Sequence, residues 1–190
     1  AITALPAAIT GGAMTLLETQ TASSSSTISF TSGIDSTYDE YVFKFINIHP
    51  GTDDVGFGFL GSTNGGSSYW VTKTTTIFRA YHNEGDSGTA LEYTANFDLA
   101  QSTSHQMIDG GGVGNDNDQN EVGYLHLFNP SSTTFVKHFM SRISTNQKDD
   151  YAIDTFGGGY FNTTSAINAI QFKMNTGNID SGVIKLYGIK

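Results

Sequence analysis

The side chains that could do chemistry are densest in D-G-G-G-V-G-N-D-N-D-Q-N-E, Asp109–Glu121, where glycines lie beside acids and amides. Oxygen ligands at alternate positions are typical of calcium loops. An EF-hand that starts at Asp116 needs glycine at its sixth position and glutamate at its twelfth, but the sequence has Glu121 and Leu127 there. Two alternatives remain: a calcium site of another type, or a solvated loop whose Asn, Asp and Gly supply turn dihedrals. The possible calcium ligands are Asp116, Asp118, Asn120 and Glu121.

The same stretch does not suit a phosphate. A phosphate-binding loop follows a strand and opens a helix whose N-terminus faces the anion. Here the next segment, Val122–Phe128, has the composition of a strand, and the loop itself carries acids. The sequence therefore predicts no phosphate site.

Histidines and nucleophiles form no catalytic motif. The sequence has no G-x-S-x-G and no Ser-x-x-Lys motif, and its lack of cysteine excludes thiol catalysis, zinc ribbons and disulfides. His126 and His138 flank one predicted turn, so they could meet as a metal pair or a pH sensor, or be structural imidazoles. The histidines lie on separate segments, at His49, His82, His105, His126 and His138.

Carboxylates are the remaining catalytic candidates. A glycosidase needs one carboxyl of raised pKa and a partner at a set distance, and nothing in the sequence selects such a pair. Acids beside turns are usually solvated. We therefore predict no enzyme activity and no catalytic, cofactor-binding or metal residues. The acids considered are Asp39, Glu40, Asp53, Asp54, Glu84, Asp86, Glu92, Asp149 and Asp150.

Two aromatic segments, Tyr69-Trp70 and Phe78–His82, are candidates for a sugar-binding platform. Exposed aromatic rings on a β-sandwich can stack on sugars, whereas most aromatic side chains in such folds belong to the core. The sequence leaves both interpretations open.

The composition indicates the class of protein. A chain of 190 residues suits one domain, and 14% charged residues with 22 glycines is typical of extracellular or virion β-proteins. The nine basic residues are scattered and the net charge is -9, so we expect no nucleic-acid partner. No apolar run reaches the ~20 residues of a membrane span and no signal peptide is visible, so we expect a soluble protein without a membrane partner.

Short β-strands must position these residues, because helical periodicity is almost absent. In Y-V-F-K-F, Tyr41, Phe43 and Phe45 share one face and Lys44 lies on the other. The predicted strands are Met14–Gln20, Thr27–Phe30, Tyr38–Ile48, Val55–Gly61, Tyr69–Lys73, Ile77–His82, Ala90–Tyr93, His105–Ile108, Val122–Phe128, Thr134–Ser144, Ala152–Phe161, Ile167–Met174 and Gly182–Gly188.

Turn sequences agree with antiparallel sheets. Asn64-Gly65-Gly66 predicts a tight hairpin, and Asn129-Pro130 ends the strand before it. Residues 14–190 are therefore predicted to form an all-β, antiparallel two-sheet sandwich of jelly-roll type. The uncharged residues 1–13 are predicted to be an extended N-terminal arm, with Gly11-Gly12 as a flexible joint.

Three segments go beyond generic β-sequence: Ile28–Phe43, Leu127–Phe139 and Gly159–Ile189. They resemble small structural proteins of tailed bacteriophages, including phages of marine bacteria and cyanobacteria. The most specific pattern is an I-x-x-I-x-F strand, a G-N-I-D-S-G turn and I-K-L-Y-G-I near the chain end. The resemblance covers residues 16–190.

That resemblance implies a virion component with no catalytic residues to carry over. A compact, acidic, charge-poor domain with an apolar arm fits a capsid decoration (cement) protein that binds the major capsid protein lattice as a homotrimer. It would be made in the host bacterial cytoplasm and lie on the outer surface of the phage head. The alternative is a tail or fibre-associated β-sandwich module that binds host surface glycan.

Overall fold

The computed structural model describes residues 14–190, so the predicted arm at residues 1–13 lies outside the described residues. The described chain is almost entirely β-structure, with one 3₁₀ turn at Ala95–Phe97. Its strands are β1 (Thr15–Ser25), β2 (Ile28–Phe30), β3 (Glu40–Pro50), β4 (Phe57–Ser62), β5 (Lys73–Asn83), β6 (Thr89–Tyr93), β7 (Gln106–Met107), β8 (Glu121–Phe128), β9 (Lys137–Gln147), β10 (Tyr151–Phe161), β11 (Ala169–Met174) and β12 (Ile179–Ile189).

The strands form two antiparallel sheets stacked as a sandwich, which confirms the predicted fold class. The larger sheet has the order β1-β12-β3-β8-β9-β10-β5-β6, and the smaller sheet β2-β11-β4-β7. The orders β1-β12-β3-β8 and β2-β11-β4-β7 pair the first strands with the last and alternate between the sheets, as in a jelly roll. The other four strands, β9, β10, β5 and β6, enlarge one sheet, and we call them the extension.

Aromatic side chains fill the space between the two sheets. The ring of Phe172, on β11, lies 5.0 Å from the ring of Phe43 and 5.1 Å from that of Phe45, both on β3 of the larger sheet. It also stacks on Phe57 of its own sheet at 5.8 Å. Phe43 and Phe45 are buried on one face and Lys44 is exposed on the other, as their alternation predicts. Such ring pairs add ~0.5–1.5 kcal/mol each beyond the burial of their area.

The inner face of the extension, which is the face on the side of the smaller sheet, is covered by other contacts. Phe59 of β4 packs edge-on against Phe139 of β9 at 5.0 Å. Beyond this contact, the chain after β7 covers the inner face, where Val113 pairs with both Val55 and Gln147. The opposite, outer face of the extension has no element of residues 14–190 packed over it and is open to solvent.

The strand predicted at Tyr69–Lys73 is wrong, because only Lys73 belongs to a strand, as the first residue of β5. Gly65 and Gly66 adopt the positive φ that the turn prediction requires, at 68° and 85°. The turn is not a hairpin, however, since β4 belongs to the smaller sheet and β5 to the larger. The chain crosses between the sheets here without a partner strand, which leaves Trp70 75% exposed.

We predict that Phe172→Ala destabilises the protein by about 3–5 kcal/mol, because it leaves a cavity where rings from both sheets meet. The measurement is urea unfolding followed by circular dichroism. Phe135→Ala, at a 69% exposed phenylalanine, is the control and should change stability by no more than ~0.5 kcal/mol. Equal losses in the two variants would contradict the central role of Phe172.

Candidate functional site

The stretch Asp109–Glu121 is packed against the domain over much of its length. The hydroxyl of Thr155 donates to the carbonyl of Asp109 at 2.8 Å, and the guanidinium of Arg79 donates to the carbonyl of Gly110. Only residues 115–118 are exposed. The stretch covers the inner face of the extension, so the interpretation as a fully solvated loop is wrong for its first half.

The four residues of the calcium hypothesis do not share one environment. The side chain of Glu121 is buried, whereas Asp116 and Asp118 are exposed to solvent. In the described part of the chain, no group of three or more His, Asp or Glu side chains is placed to hold a metal ion. The geometry therefore gives no support to a calcium site made of these residues.

The first and last residues of the stretch form a buried acid pair, Asp109 and Glu121. Asp109 accepts the Phe57 amide hydrogen at 2.9 Å, and Glu121 accepts the Thr145 hydroxyl at 3.3 Å. The other oxygen of each carboxyl has no partner. Desolvation raises the pKa of Asp109 to about 7, and desolvation together with the charge of Asp109 raises that of Glu121 well above its usual value.

The histidines have separate structural partners. His126 is opposite Met140 in the β8–β9 register and pairs with Glu40, while His138 packs beside Tyr160. Each imidazole thus has another partner, as structural imidazoles do, and these contacts do not pair His126 with His138. His49 bonds the carbonyl of Gln119 at 2.7 Å, His82 bonds Asp86 at 3.0 Å and His105 bonds the carbonyl of Lys173 at 3.0 Å. Burial lowers the pKa of His105 to about 4, which keeps it neutral at physiological pH.

The acids considered for glycoside hydrolysis are separate from the buried acid pair. Glu40 pairs with His126, and Glu92 pairs with Arg79 at 2.6 Å. The raised pKa values belong to the buried acid pair, which the sequence does not single out as candidate catalytic acids. Their position at the two ends of a glycine-rich stretch is the one signal that the sequence offers.

Two lysines are buried at one end of the extension. Lys73 and Lys137 begin β5 and β9, and each pairs with the last residue of β10, one on either side. The amine of Lys73 donates to the carbonyl of Val71 at 3.4 Å. That of Lys137 donates to the carbonyls of Phe135 at 2.6 Å and Thr163 at 3.1 Å. The lysines thus fix the backbone of the loops that enter these strands.

Carbonyl oxygens compensate a buried ammonium only in part, because they carry no net negative charge. Desolvation therefore lowers the pKa of Lys73 to about 8 and also lowers that of Lys137. Both side chains are fully buried, which is rare for lysine and indicates that the carbonyl contacts hold them inside.

The loops held by these lysines carry two highly exposed aromatic side chains, Trp70 at 75% and Phe135 at 69%. They lie at the same end of the sheet, because β5 and β9 are both antiparallel to β10. We call this region the aromatic end. Tyr69-Trp70 was one of the two aromatic candidates in the sequence, whereas nothing in the sequence marked Phe135.

The other aromatic candidate, Phe78–His82, is divided between two faces. Phe78 lies on the outer face of the extension and is 45% exposed, while Tyr81 packs against Tyr151. The strand registers align Phe78 with four other outward side chains in one row across five strands. In order from β8 to β6, the row is Tyr124, Arg142, Phe156, Phe78 and Tyr93.

A trough runs beside this row on the outer face. Its floor includes Gly158 and Thr76, and its sides include Met140, His126 and Phe128. The trough has a volume of about 530 Å³, within the range of small-ligand sites, roughly 300–1,000 Å³. The outer face therefore carries a concave aromatic surface in addition to the aromatic end.

No protein-family model matches the chain, and no curated protein matches it in sequence. Within residues 14–190, no helix is long and apolar enough to cross a membrane. The resemblance to tailed-phage structural proteins therefore stays a prediction that rests on the three segments of the sequence.

We predict that stability falls as the pH rises from about 4 through about 7, where Asp109 ionises in the folded protein. A carboxyl whose pKa is raised by folding stabilises the fold only while it is protonated, with a slope of up to ~1.4 kcal/mol per pH unit. Glu121→Gln removes the second buried carboxyl beside Asp109, so the stability of the variant should fall less with rising pH, and at pH 8 the variant should be more stable than the wild type by roughly 1–3 kcal/mol. Urea unfolding between pH 4 and 8 measures both. A Glu121→Gln profile parallel to that of the wild type would contradict the prediction.

Lys73 should make stability change with pH in the opposite direction, because burial lowers its pKa to about 8. The folded state favours the neutral amine, so the stability of the wild type should rise between about pH 8 and pH 10.5. In Lys73→Met this contribution is absent, so the unfolding free energy of the variant should rise less than that of the wild type across that window. Lys44→Met, at an exposed lysine of β3, is the matched control and should leave the profile unchanged.

Proposed function

We propose that this protein is a structural component of a tailed-phage virion, a decoration protein that binds the major capsid protein lattice on the outer surface of the head. The observation that carries the proposal is the aromatic end, where Trp70 and Phe135 project from loops whose backbone is fixed by buried lysines. Exposed aromatic side chains are the usual anchors of protein interfaces. Loops that are already fixed lose less conformational freedom on binding, which favours affinity.

The sequence supports the proposal independently through the three phage-like segments. The formal charge of -9 suits a position on the outside of the shell, away from the packaged DNA. In a homotrimer, three aromatic ends would act together on neighbouring capsid subunits. The uncharged residues 1–13 would add contact area across a subunit seam, at about 25 cal/mol per Å² of apolar surface buried.

We predict that Trp70→Ser and Phe135→Ser each weaken binding to expanded phage heads stripped of this protein. Loss of an aromatic anchor costs ~2 kcal/mol or more, which is about 30-fold in Kd. Leu91→Ser is the matched control, because Leu91 is also 75% exposed but lies on the edge strand β6. Co-sedimentation with heads measures the affinity, and circular dichroism checks that each variant is folded.

Two results would contradict the proposal. One is wild-type affinity in both aromatic variants. The other is a copy number of a few to tens per purified virion, which indicates a tail component, whereas a head decoration protein is present in hundreds of copies. A variant without residues 1–13 separates the role of the arm from that of the aromatic end, since contact of the arm across a subunit seam requires the affinity of this variant for heads to fall.

A further inference from the structure

Neither packing nor backbone conformation within the described residues requires glycine at position 158. Its neighbours on β10 are constrained by packing: a Cβ on Gly157 would meet the Ser141 hydroxyl at 2.6 Å, and one on Gly159 would meet the Thr75 side chain at 2.7 Å. A Cβ on Gly158 would meet nothing within 4 Å, and its φ is not in the left-handed region. Glycine weakens the interior of a strand, and where packing does not require it, it often marks a place that a ligand approaches closely.

The space above Gly158 is the floor of the trough on the outer face. One side is formed by two stacked rings, those of Phe156 and Phe78, which lie 5.0 Å apart and are inclined by only 4°. On the other side are Phe128 and the long side chain of Met140, which is 59% exposed. The missing side chain at Gly158 therefore keeps an aromatic-lined trough open across the middle of the sheet.

The ionisable groups that line the trough have side-chain partners, although the protein is acidic overall. Of the described residues that line it, Arg142 carries a full charge, and its guanidinium binds both carboxylate oxygens of Asp154 at 2.7–3.2 Å. The imidazole of His126 is bonded to Glu40. A charged ligand would find no unpaired opposite charge here, so the trough suits a neutral one.

Polar groups lie around the apolar walls. Thr76 and Tyr124, which carry hydroxyls, are among the lining residues, and Arg142 retains N–H donors beyond those that bind Asp154. A pyranose ring combines apolar C–H faces with hydroxyls around its edge, which matches apolar walls beneath a few polar groups. A protein strand matches less well, because the backbone groups of β9, β10 and β5 are already paired on both sides.

We propose that the trough above Gly158 binds a neutral pyranose unit of a surface polysaccharide. The ring lies over Gly158 and contacts the walls formed by Phe78, Phe156 and Met140. The hydroxyls of the pyranose reach the polar side chains of Thr76, Tyr124 and Arg142. The site is separate from the aromatic end and does not depend on binding to the phage head, so either property can fail while the other holds.

The experiment is a ¹H–¹⁵N NMR titration of the full chain with neutral hexasaccharides, namely maltohexaose, cellohexaose and chitohexaose, and with oligogalacturonate as a charged counterpart. At least one neutral sugar should shift the amide signals of Gly158 and its neighbours, and oligogalacturonate should not. Gly158→Val fills the trough, so it should raise Kd about tenfold or more. Its melting temperature should be equal to or above that of the wild type, because the position is open.

Ser144→Val is the matched control, since it adds a similar side chain at an exposed position of β9 outside the trough. It should bind the sugar as the wild type does. Absence of binding by all three neutral sugars, or undiminished binding by Gly158→Val, overturns the proposal. So does a Gly158→Val variant that loses affinity for phage heads without any sugar binding in the wild type, because the trough would then belong to a protein partner.

Discussion

The contact of Phe172 with the rings of β3 is the interaction on which the rest of the structure depends. It joins the smaller sheet to the larger one at the centre of the jelly roll, and four strands of the larger sheet are covered in this way. Apart from the packing of Phe59 of β4 on Phe139 and Phe161, the extension lies outside that overlap. Its inner face must therefore be covered by loops, and loops, unlike a sheet, bring unpaired backbone polar groups into the interior.

This constraint explains the buried polar side chains, which would otherwise look misplaced in a β-sandwich. Thr155 and Arg79 donate to the carbonyls of Asp109 and Gly110, and Lys137 donates to the carbonyls of the loops beside it. Each pairs a loop carbonyl that would be costly to leave without a partner. The unusual pKa values of the buried acid pair and of Lys73 have a common physical cause, the desolvation of an ionisable group by burial.

The sequence is sufficient to predict the fold class but not the site. Alternation of apolar and polar residues reports which strands have one packed face, and it places Phe43, Phe45 and Lys44 correctly. It fails at Tyr69–Lys73, because a β-like composition cannot reveal that a segment crosses between sheets without a partner strand. It also fails for Asp109 and Glu121, because their burial depends on the extension, and the extension is defined by pairing between strands that are distant in sequence.

The same division between covered and uncovered faces determines where ligands can bind. The inner face is filled, so binding surfaces arise on the outer face and at the strand ends. At the aromatic end, buried lysines bond backbone carbonyls of the loops that carry the exposed rings, and projecting rings suit insertion into a partner's pocket. Above Gly158 the surface is concave, because glycine has no side chain to fill the space there. One projecting surface and one concave surface on the same sheet are not complementary to the same partner, so the two proposals assign the extension two different partners.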